Sequence, residues 1–429
     1  MIAYKYKTLH ALEISFYRVA LKILTFGWDY PPIKNGGLGV ACYGLTTELL
    51  KHGVEVIFVL PRTQNVDSGP RFIFAHKKKG LKARVVDSPL VPYLSSNSPL
   101  YIFDSDGARR IYARNLIEEV HHYAAKAAVI AQEEDFDLIH AHDWTSYLAG
   151  LAAKEASGKP LIVHVHATSF DQAGSSNVDP EVYKIEKRAF EEADCIVTVS
   201  QLTKDIIVRE HGADPAKVVV VHNGVAELEP AQLTPVLGEL KAQGKKIVLF
   251  HGRITIQKGP DYFVRAARRV IDVEPNTVFV ISGWGDMEHQ VMHLVGALGL
   301  SNNVIFAGAL WDEERDRMYQ SADLLVMPSV SEPFGLVALE AIQHGTPALI
   351  SKQSGVSEVL THVLKADFWD VDEMANKIIA LLRYAPLDRQ LTDFGKKEAR
   401  RNSWENAAHT IKDLYEHMSL WFLTVKNNQ

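Results

Sequence analysis

Cysteine is nearly absent from this chain: Cys42 and Cys195 are its only two among 429 residues. A pair of thiols in apolar settings excludes a disulfide framework and a cysteine-built zinc site. Long hydrophobic runs are missing as well, and no stretch approaches the roughly 20 apolar residues that a bilayer-crossing helix needs. Residues 1–19 mix Lys5, Lys7, Glu13 and Arg18 with apolar side chains, which is not the pattern of a secretory signal. A soluble cytoplasmic protein without a membrane span is therefore expected. Positive charge is not in excess either. The 46 Lys and Arg against 52 Asp and Glu leave a net charge of -6, which argues against a nucleic-acid partner or an anionic membrane surface. The short run Lys77-Lys78-Lys79 reads as a solvated loop.

What the chain does have is enough apolar content, 47% against 23% charged, to build two domains of ordinary size. From Ala20 onward, short β-branched runs alternate with helical patterns, the signature of parallel strands joined by crossover helices. Expected strands in the first half are Leu21 to Phe26, Val54 to Leu60, Leu138 to His140, Leu161 to His166, Cys195 to Ser200 and Val218 to His222. A polar, proline-containing stretch from Glu227 to Gly244 reads as an interdomain connection. A second series follows at Ile247 to His251, Thr277 to Ile281, Val304 to Phe306, Leu324 to Met327 and Ala348 to Ile350. The fold class is thus α/β, with two doubly wound Rossmann-like domains facing a cleft. Expected boundaries are an extension at 1–19, a first domain at 20–228, a second at 245–402 and a helix and tail at 403–429. The periodic Trp404, Ala408, Ile411, Leu414, Tyr415 and Met418 suit a terminal helix that packs back on the first domain.

The most informative segment is Ser331-Glu332-Pro333-Phe334-Gly335-Leu336-Val337-Ala338-Leu339-Glu340. It reads as a loop at the carboxyl end of a strand, running into a helix from Leu336 to Gln343. Ligands bind at that end of an open α/β sheet, and free N–H groups around Phe334, Gly335 and Leu336 favour an anion such as a pyrophosphate. Carboxylates there would repel phosphate, so Glu332 and Glu340 suit uncharged sugar hydroxyls. Two helical turns bring Glu340 back towards the same face.

Three other loops follow strands. Lys34-Asn35-Gly36-Gly37-Leu38 offers close backbone approach at Gly36 and Gly37 and a point charge at Lys34, but matches neither a Walker A loop nor a dinucleotide fingerprint. In His251 to Pro260, Arg253 and Lys258 can flank one anion and neutralise a diphosphate. The cluster His140-Ala141-His142-Asp143-Trp144 and the pair His164 and His166 invite a metal reading, yet no HExxH helix or carboxylate set accompanies them. No metal site is expected. His142, Asp143 and His166 suit hydrogen bonds to sugar hydroxyls, and His140 and His164 suit satisfied core histidines.

Taken in order, these motifs resemble the retaining glycosyltransferases of the GT-B fold, family 4, over most of the chain after Ala20. The loop at Lys34 and the His140-Ala141-His142-Asp143-Trp144 element are similar to those of glycogen and starch synthases. So is Glu332-Pro333-Phe334-Gly335-Leu336. The segments Val221-His222-Asn223-Gly224-Val225 and Gly252-Arg253 to Lys258-Gly259 are shared more widely in family 4. Two departures concern the acceptor: Gly39-Val40-Ala41 stands where bacterial glycogen synthases have A-D-V, and Ser354-Gly355-Val356 replaces their T-G-G.

The resemblance implies a hexosyltransferase of EC 2.4.1 type that moves glucose from ADP-glucose or UDP-glucose to an α-1,4-glucan with retention of configuration. It implies no cofactor and no required metal. Arg253, Lys258 and Gly37 would hold the diphosphate, Glu332 the hexose, Glu340 the ribose and His166 the sugar near the reacting centre. Asp143 would lie towards the acceptor, and Asn223 joins the substrate-binding residues. Two readings stand beside this one: the same chemistry on a small sugar, lipid or cell-surface glycan, and a non-catalytic sugar-nucleotide or glucan binding protein.

Overall fold

The computed structural model describes residues 20–28, 30, 36–61, 81–86, 100–103, 109–113, 116–174, 178–226 and 235–426. The extension at 1–19 and Lys34 lie outside the described residues. The chain forms two compact units. One comprises the chain up to Ser169, Val178–Gly224 and the chain from Trp404; the other comprises Phe170–Asn177 and Val225–Ser403.

In the first unit, β1 (Lys22–Phe26), β2 (Glu55–Pro61) and β3 (Leu81–Val86) precede a separate antiparallel pair, β4 (Leu100–Phe103) and β5 (Arg109–Ala113). Then come β6 (Leu138–His142), β7 (Leu161–Val165), β8 (Cys195–Thr198) and β9 (Val218–Val220). They form a parallel sheet in the order β3-β2-β1-β6-β7-β8-β9. Every residue of β6, β7 and β8 is buried, as expected of strands covered on both faces by helices. The chain therefore reverses direction of growth at β1, and the carboxyl ends of β1 and β6 flank that switch point.

In the second unit, β10 (Lys246–His251), β11 (Thr277–Ser282), β12 (Val304–Gly308), β13 (Leu324–Met327), β14 (Ala348–Ser351) and β15 (Leu364–Ala366) form a parallel sheet in the order β12-β11-β10-β13-β14-β15. Here the switch point lies between β10 and β13, which pair directly. The loops leaving those two strands carry Arg253, Lys258 and Glu332.

The terminal helix, Trp404–Lys426, belongs to the first unit. It packs on the helix Gly37–Lys51 so closely that a Cβ on Gly44 would lie 2.4 Å from Trp404 Nε1. Lys412 Nζ donates to the His52 carbonyl at 2.9 Å, and Ala408, Ile411, Leu414 and Tyr415 are buried. The expected return of this helix to the first domain is thus present, and the helix runs on to Lys426.

Four expectations are corrected. The stretch Glu227 to Gly244 contains a helix, Pro235–Ala242, rather than only a connection. The first-half strands are trimmed at several ends, but β6 extends two residues beyond His140, so His142 lies within the strand instead of after it. The antiparallel pair and edge strands β3 and β15 were not foreseen. Neither was the helix Ala385–Arg401, whose inward positions Leu391, Gly395 and Ala399 give only a thin apolar stripe.

Candidate active site

The second unit brings together two side chains from the loops that flank its switch point. Lys258 closes a 3-10 turn, Ile256–Lys258, and Lys258 Nζ donates to Glu332 Oε2 at 2.6 Å. Ser329, itself fully buried, donates its hydroxyl to the same oxygen at 3.0 Å. Glu332 is 6% exposed. At that burial an uncompensated carboxylate would be costly, and the lysine and serine offset its lost hydration.

The backbone holds this pair in place. The Val330 amide donates to the Gln257 carbonyl at 2.8 Å, and the Glu332 amide donates to the Gln353 carbonyl at 3.0 Å. Gly259 adopts φ 63°, and a Cβ there would stand 2.3 Å from the Pro328 carbonyl oxygen. Only glycine allows both that conformation and that approach of the Lys258 loop to the Glu332 loop.

Arg253 is half-buried and its Nη2 donates to Gln257 Oε1 at 3.0 Å, so the guanidinium is steered by the loop that presents Lys258. The helix Leu336–Gln343 is where it was expected, with Gly335 before it at φ 112° and no side chain capping its first turn. Phe334 and Leu336 are buried, so they present backbone rather than side chains. An uncapped helix start is suited to an anion.

Glu340 lies on that helix with partners of its own. Tyr319 donates its hydroxyl to Glu340 Oε2 at 2.9 Å, and Arg315 Nη1 stands 3.8 Å from Oε1. Arg315 also bonds Asp316 at 2.8 Å, and His344 Nε2 is 3.5 Å from Asp316. Burial opposes the charge on Arg315, but Glu340, Tyr319 and Asp316 outweigh it and hold the guanidinium protonated. Burial raises the Tyr319 phenol well above its usual range, a shift reinforced by Glu340. Nearby, burial lowers His251 to about 3, with Arg315 and Lys258 adding to the shift; its Nδ1 is 3.2 Å from Ser282 Oγ. Sequence reasoning did not find Arg315, Tyr319, Ser329 or Gln257. Arg315 and Tyr319 lie on the helix Asp312–Ser321, where nothing local marks them as partners of Glu340.

In the first unit the helix Gly37–Lys51 starts at Gly36 with no side-chain cap among the described residues. Asp143 follows β6 with φ 60°, a strained conformation for a residue with a Cβ, and its Oδ1 accepts from the amides of His166 at 2.7 Å and Ala167 at 3.3 Å. It thereby fixes the backbone just past β7. His142 is 2% exposed and its Nδ1 lies 3.0 Å from His166 Nε2. Burial lowers the His142 imidazole to about 3 and holds His166 well below the usual range, with His142 adding to the latter. Asn223 is buried just past β9. His140 bonds Tyr415 of the terminal helix, Nδ1 to hydroxyl, at 2.6 Å. His164 corrects its expectation: it is buried, but neither ring nitrogen has a hydrogen-bond partner among the described residues.

Comparison with known proteins agrees with this architecture. Residues 238–398 match the model of Glycosyl transferases group 1, and residues 35–227 match that of Glycosyltransferase Family 4. The chain is 28% identical to an uncharacterized glycosyltransferase of Methanocaldococcus jannaschii over 92% of its own length and 98% of that protein. It is 26% identical to a glycogen synthase of Mycobacterium tuberculosis, over 79% of this chain and 80% of the relative. Among solved structures, the sucrose-phosphate synthase of Thermosynechococcus elongatus superposes with a TM-score of 0.71 at 21% identity, covering 93% of this chain and 99% of that one. Anabaena HepE, solved in complex with UDP and glucose, gives 0.69 at 17% identity, covering 92% and 100%. The two doubly wound domains are those of the GT-B fold. No described helix is long and apolar enough to cross a membrane.

Proposed function

Because the chain is a glycosyltransferase of GT-B fold with a group 1 and a family 4 domain, we propose that it transfers glucose from ADP-glucose or UDP-glucose to an α-1,4-glucan with retention of configuration. The observation that carries the donor half of this reading is the Lys258–Glu332 pair at the switch point of the second sheet. A carboxylate suited to hexose hydroxyls and a cation suited to diphosphate stand in contact there, so the carboxylate does not repel the phosphates beside it.

In this reading Arg253, Lys258 and the uncapped start of the helix Leu336–Gln343 take the diphosphate, Glu332 accepts from the hexose hydroxyls and Glu340 from the ribose. Within the first unit, the resemblance assigns roles in substrate binding to the Gly36–Gly37 helix start and His166 and an acceptor role to Asp143. The bond from the anomeric carbon to the diphosphate oxygen breaks while the acceptor oxygen bonds to that carbon on the same face. The acceptor's proton passes to the departing phosphate oxygen, so no protein base is needed. Positive charge developing at the anomeric carbon faces Glu332, and negative charge on the leaving group faces Arg253 and Lys258. With two cations on the diphosphate, the transfer itself asks for no metal and no cofactor.

The glycogen synthase relative supports the glucan acceptor. A second reading keeps the donor chemistry and replaces the glucan by a small sugar, lipid or cell-surface glycan. It draws support from the Gly39-Val40-Ala41 and Ser354-Gly355-Val356 departures.

Calorimetric titration of ADP-glucose and UDP-glucose into the protein and into its Lys258→Ala variant tests the donor assignment. Saturable binding of one donor, weakened at least tenfold in the variant, is expected. Equal binding by both proteins would remove Lys258 from the diphosphate site.

A further inference from the structure

β6 and β7 are neighbours in register, with His142 opposite His164 and His140 two residues back on the same face of β6. His140, His142 and His164 are 1%, 2% and 2% exposed. One ring nitrogen from each lies within 4.8 Å of the others. The His140 and His164 rings are parallel at 5.3 Å, and His142 is 5.2 Å from His164. This is an expensive thing to bury. Neutral imidazole has one donor and one acceptor, yet His140 Nε2 and both nitrogens of His164 find no hydrogen-bond partner among the described residues.

We infer that His140, His142 and His164 form a buried site for one divalent transition metal of the zinc class, which ties β6 to β7. Three imidazole nitrogens favour such ions over magnesium or calcium, whose ligands are oxygens. The outer partners give the tautomers that a metal requires. When His140 Nδ1–H donates to the Tyr415 hydroxyl, the unpartnered Nε2 presents its lone pair. When His142 Nδ1–H donates to His166 Nε2, His142 likewise keeps Nε2 as a ligand. Such second partners fix ring orientation at histidine metal sites. A water in the fourth position completes a tetrahedral set. Cys42 stands with His142 and His166 in an adjoining group of possible ligands, so its thiol is the alternative donor that a test must separate.

The test uses full-length protein freed of metal by chelator dialysis, with Zn²⁺ for affinity and Co²⁺ as the spectroscopic probe. One equivalent of Zn²⁺ is expected to bind and raise the melting temperature. Co²⁺ should give the visible bands of a tetrahedral site without the near-ultraviolet thiolate band that Cys42 would add. His164→Gln should abolish both signals. Tyr415→Phe, which leaves the ligands in place, should weaken Zn²⁺ binding by about 10- to 100-fold, the usual effect of removing such a partner. The Tyr415→Phe result stands even where His164→Gln fails to fold. No uptake by the wild-type protein, or uptake untouched by either substitution, would overturn the site and leave the row as histidines bridged by buried water. A thiolate band would overturn the three-histidine donor set.

Discussion

Lys258 Nζ and Glu332 Oε2 are 2.6 Å apart although 74 residues separate them in the chain. They meet because β10 and β13 are paired at the centre of the second sheet and each residue sits in the loop leaving one of those strands. The topology thus places a cation and a carboxylate where an open α/β sheet binds its ligand.

Glu332→Gln should lower kcat by about 10²- to 10³-fold, the scale found when one electrostatic group facing transition-state charge is removed. The amide keeps the volume and one acceptor, so the melting temperature should move little. Steady-state kinetics with the preferred donor check this, and unchanged kcat would contradict a charged role for Glu332.

Lys258→Ala should destabilise the fold by about 2–4 kcal/mol, because it leaves Glu332 buried without its cation. In the double variant Lys258→Ala/Glu332→Gln much of that loss should be recovered. Urea unfolding of the four proteins measures the coupling, and strictly additive losses would mean that the pair contributes no interaction energy.

Gly259→Ala tests the clasp between the two loops. Its φ of 63° and the 2.3 Å approach to the Pro328 carbonyl predict a loss of about 2 kcal/mol or more in stability, together with weakened donor binding. Thermal unfolding and donor titration of the one variant read both effects.

Tyr319→Phe removes one hydrogen bond to Glu340 and is expected to cost about 1 kcal/mol. If Glu340 holds the ribose, that cost appears as a several-fold higher KM for the nucleotide sugar, with kcat nearly unchanged. A drop in kcat alone would point to another role for this helix.

His251 predicts a pH effect on stability. Its folded pKa is lowered to about 3 by burial, Arg315 and Lys258, from the ordinary 6.5. Unfolded protein therefore binds the proton more readily, so this contribution is full above about pH 6.5 and is lost as pH falls towards 3. At pH 5 the loss is at most about 2 kcal/mol, since one pKa unit corresponds to about 1.36 kcal/mol. Urea unfolding at pH 7 and pH 5 should show a smaller drop in His251→Gln than in the unsubstituted protein.

The central strands were legible because strands buried on both faces read as continuous β-branched runs, as in Ile247 to Phe250 or Leu161 to Val165. Edge strands were not. Leu81–Val86 carries Lys82 and Arg84, and Leu364–Ala366 is three residues long, so neither shows that signal. In the site, Glu332, Arg253 and Lys258 were visible from their positions after strands. Arg315, Tyr319 and Ser329 were not, because what marks them is tertiary contact with Glu340 and Glu332. The histidines were visible as residues but not as an unsatisfied row, since β6 had been expected to end at His140 and no sequence pattern brings Tyr415 to it.

The most direct test of the account is nucleoside diphosphate release from ADP-glucose and UDP-glucose, each with and without glycogen, while labelled glucose is followed into polymer. Glycogen-dependent release from one donor, matched by equal incorporation, is the predicted result. Failure of both donors to release nucleoside diphosphate, with or without glycogen, would contradict glucosyl transfer from these sugar nucleotides.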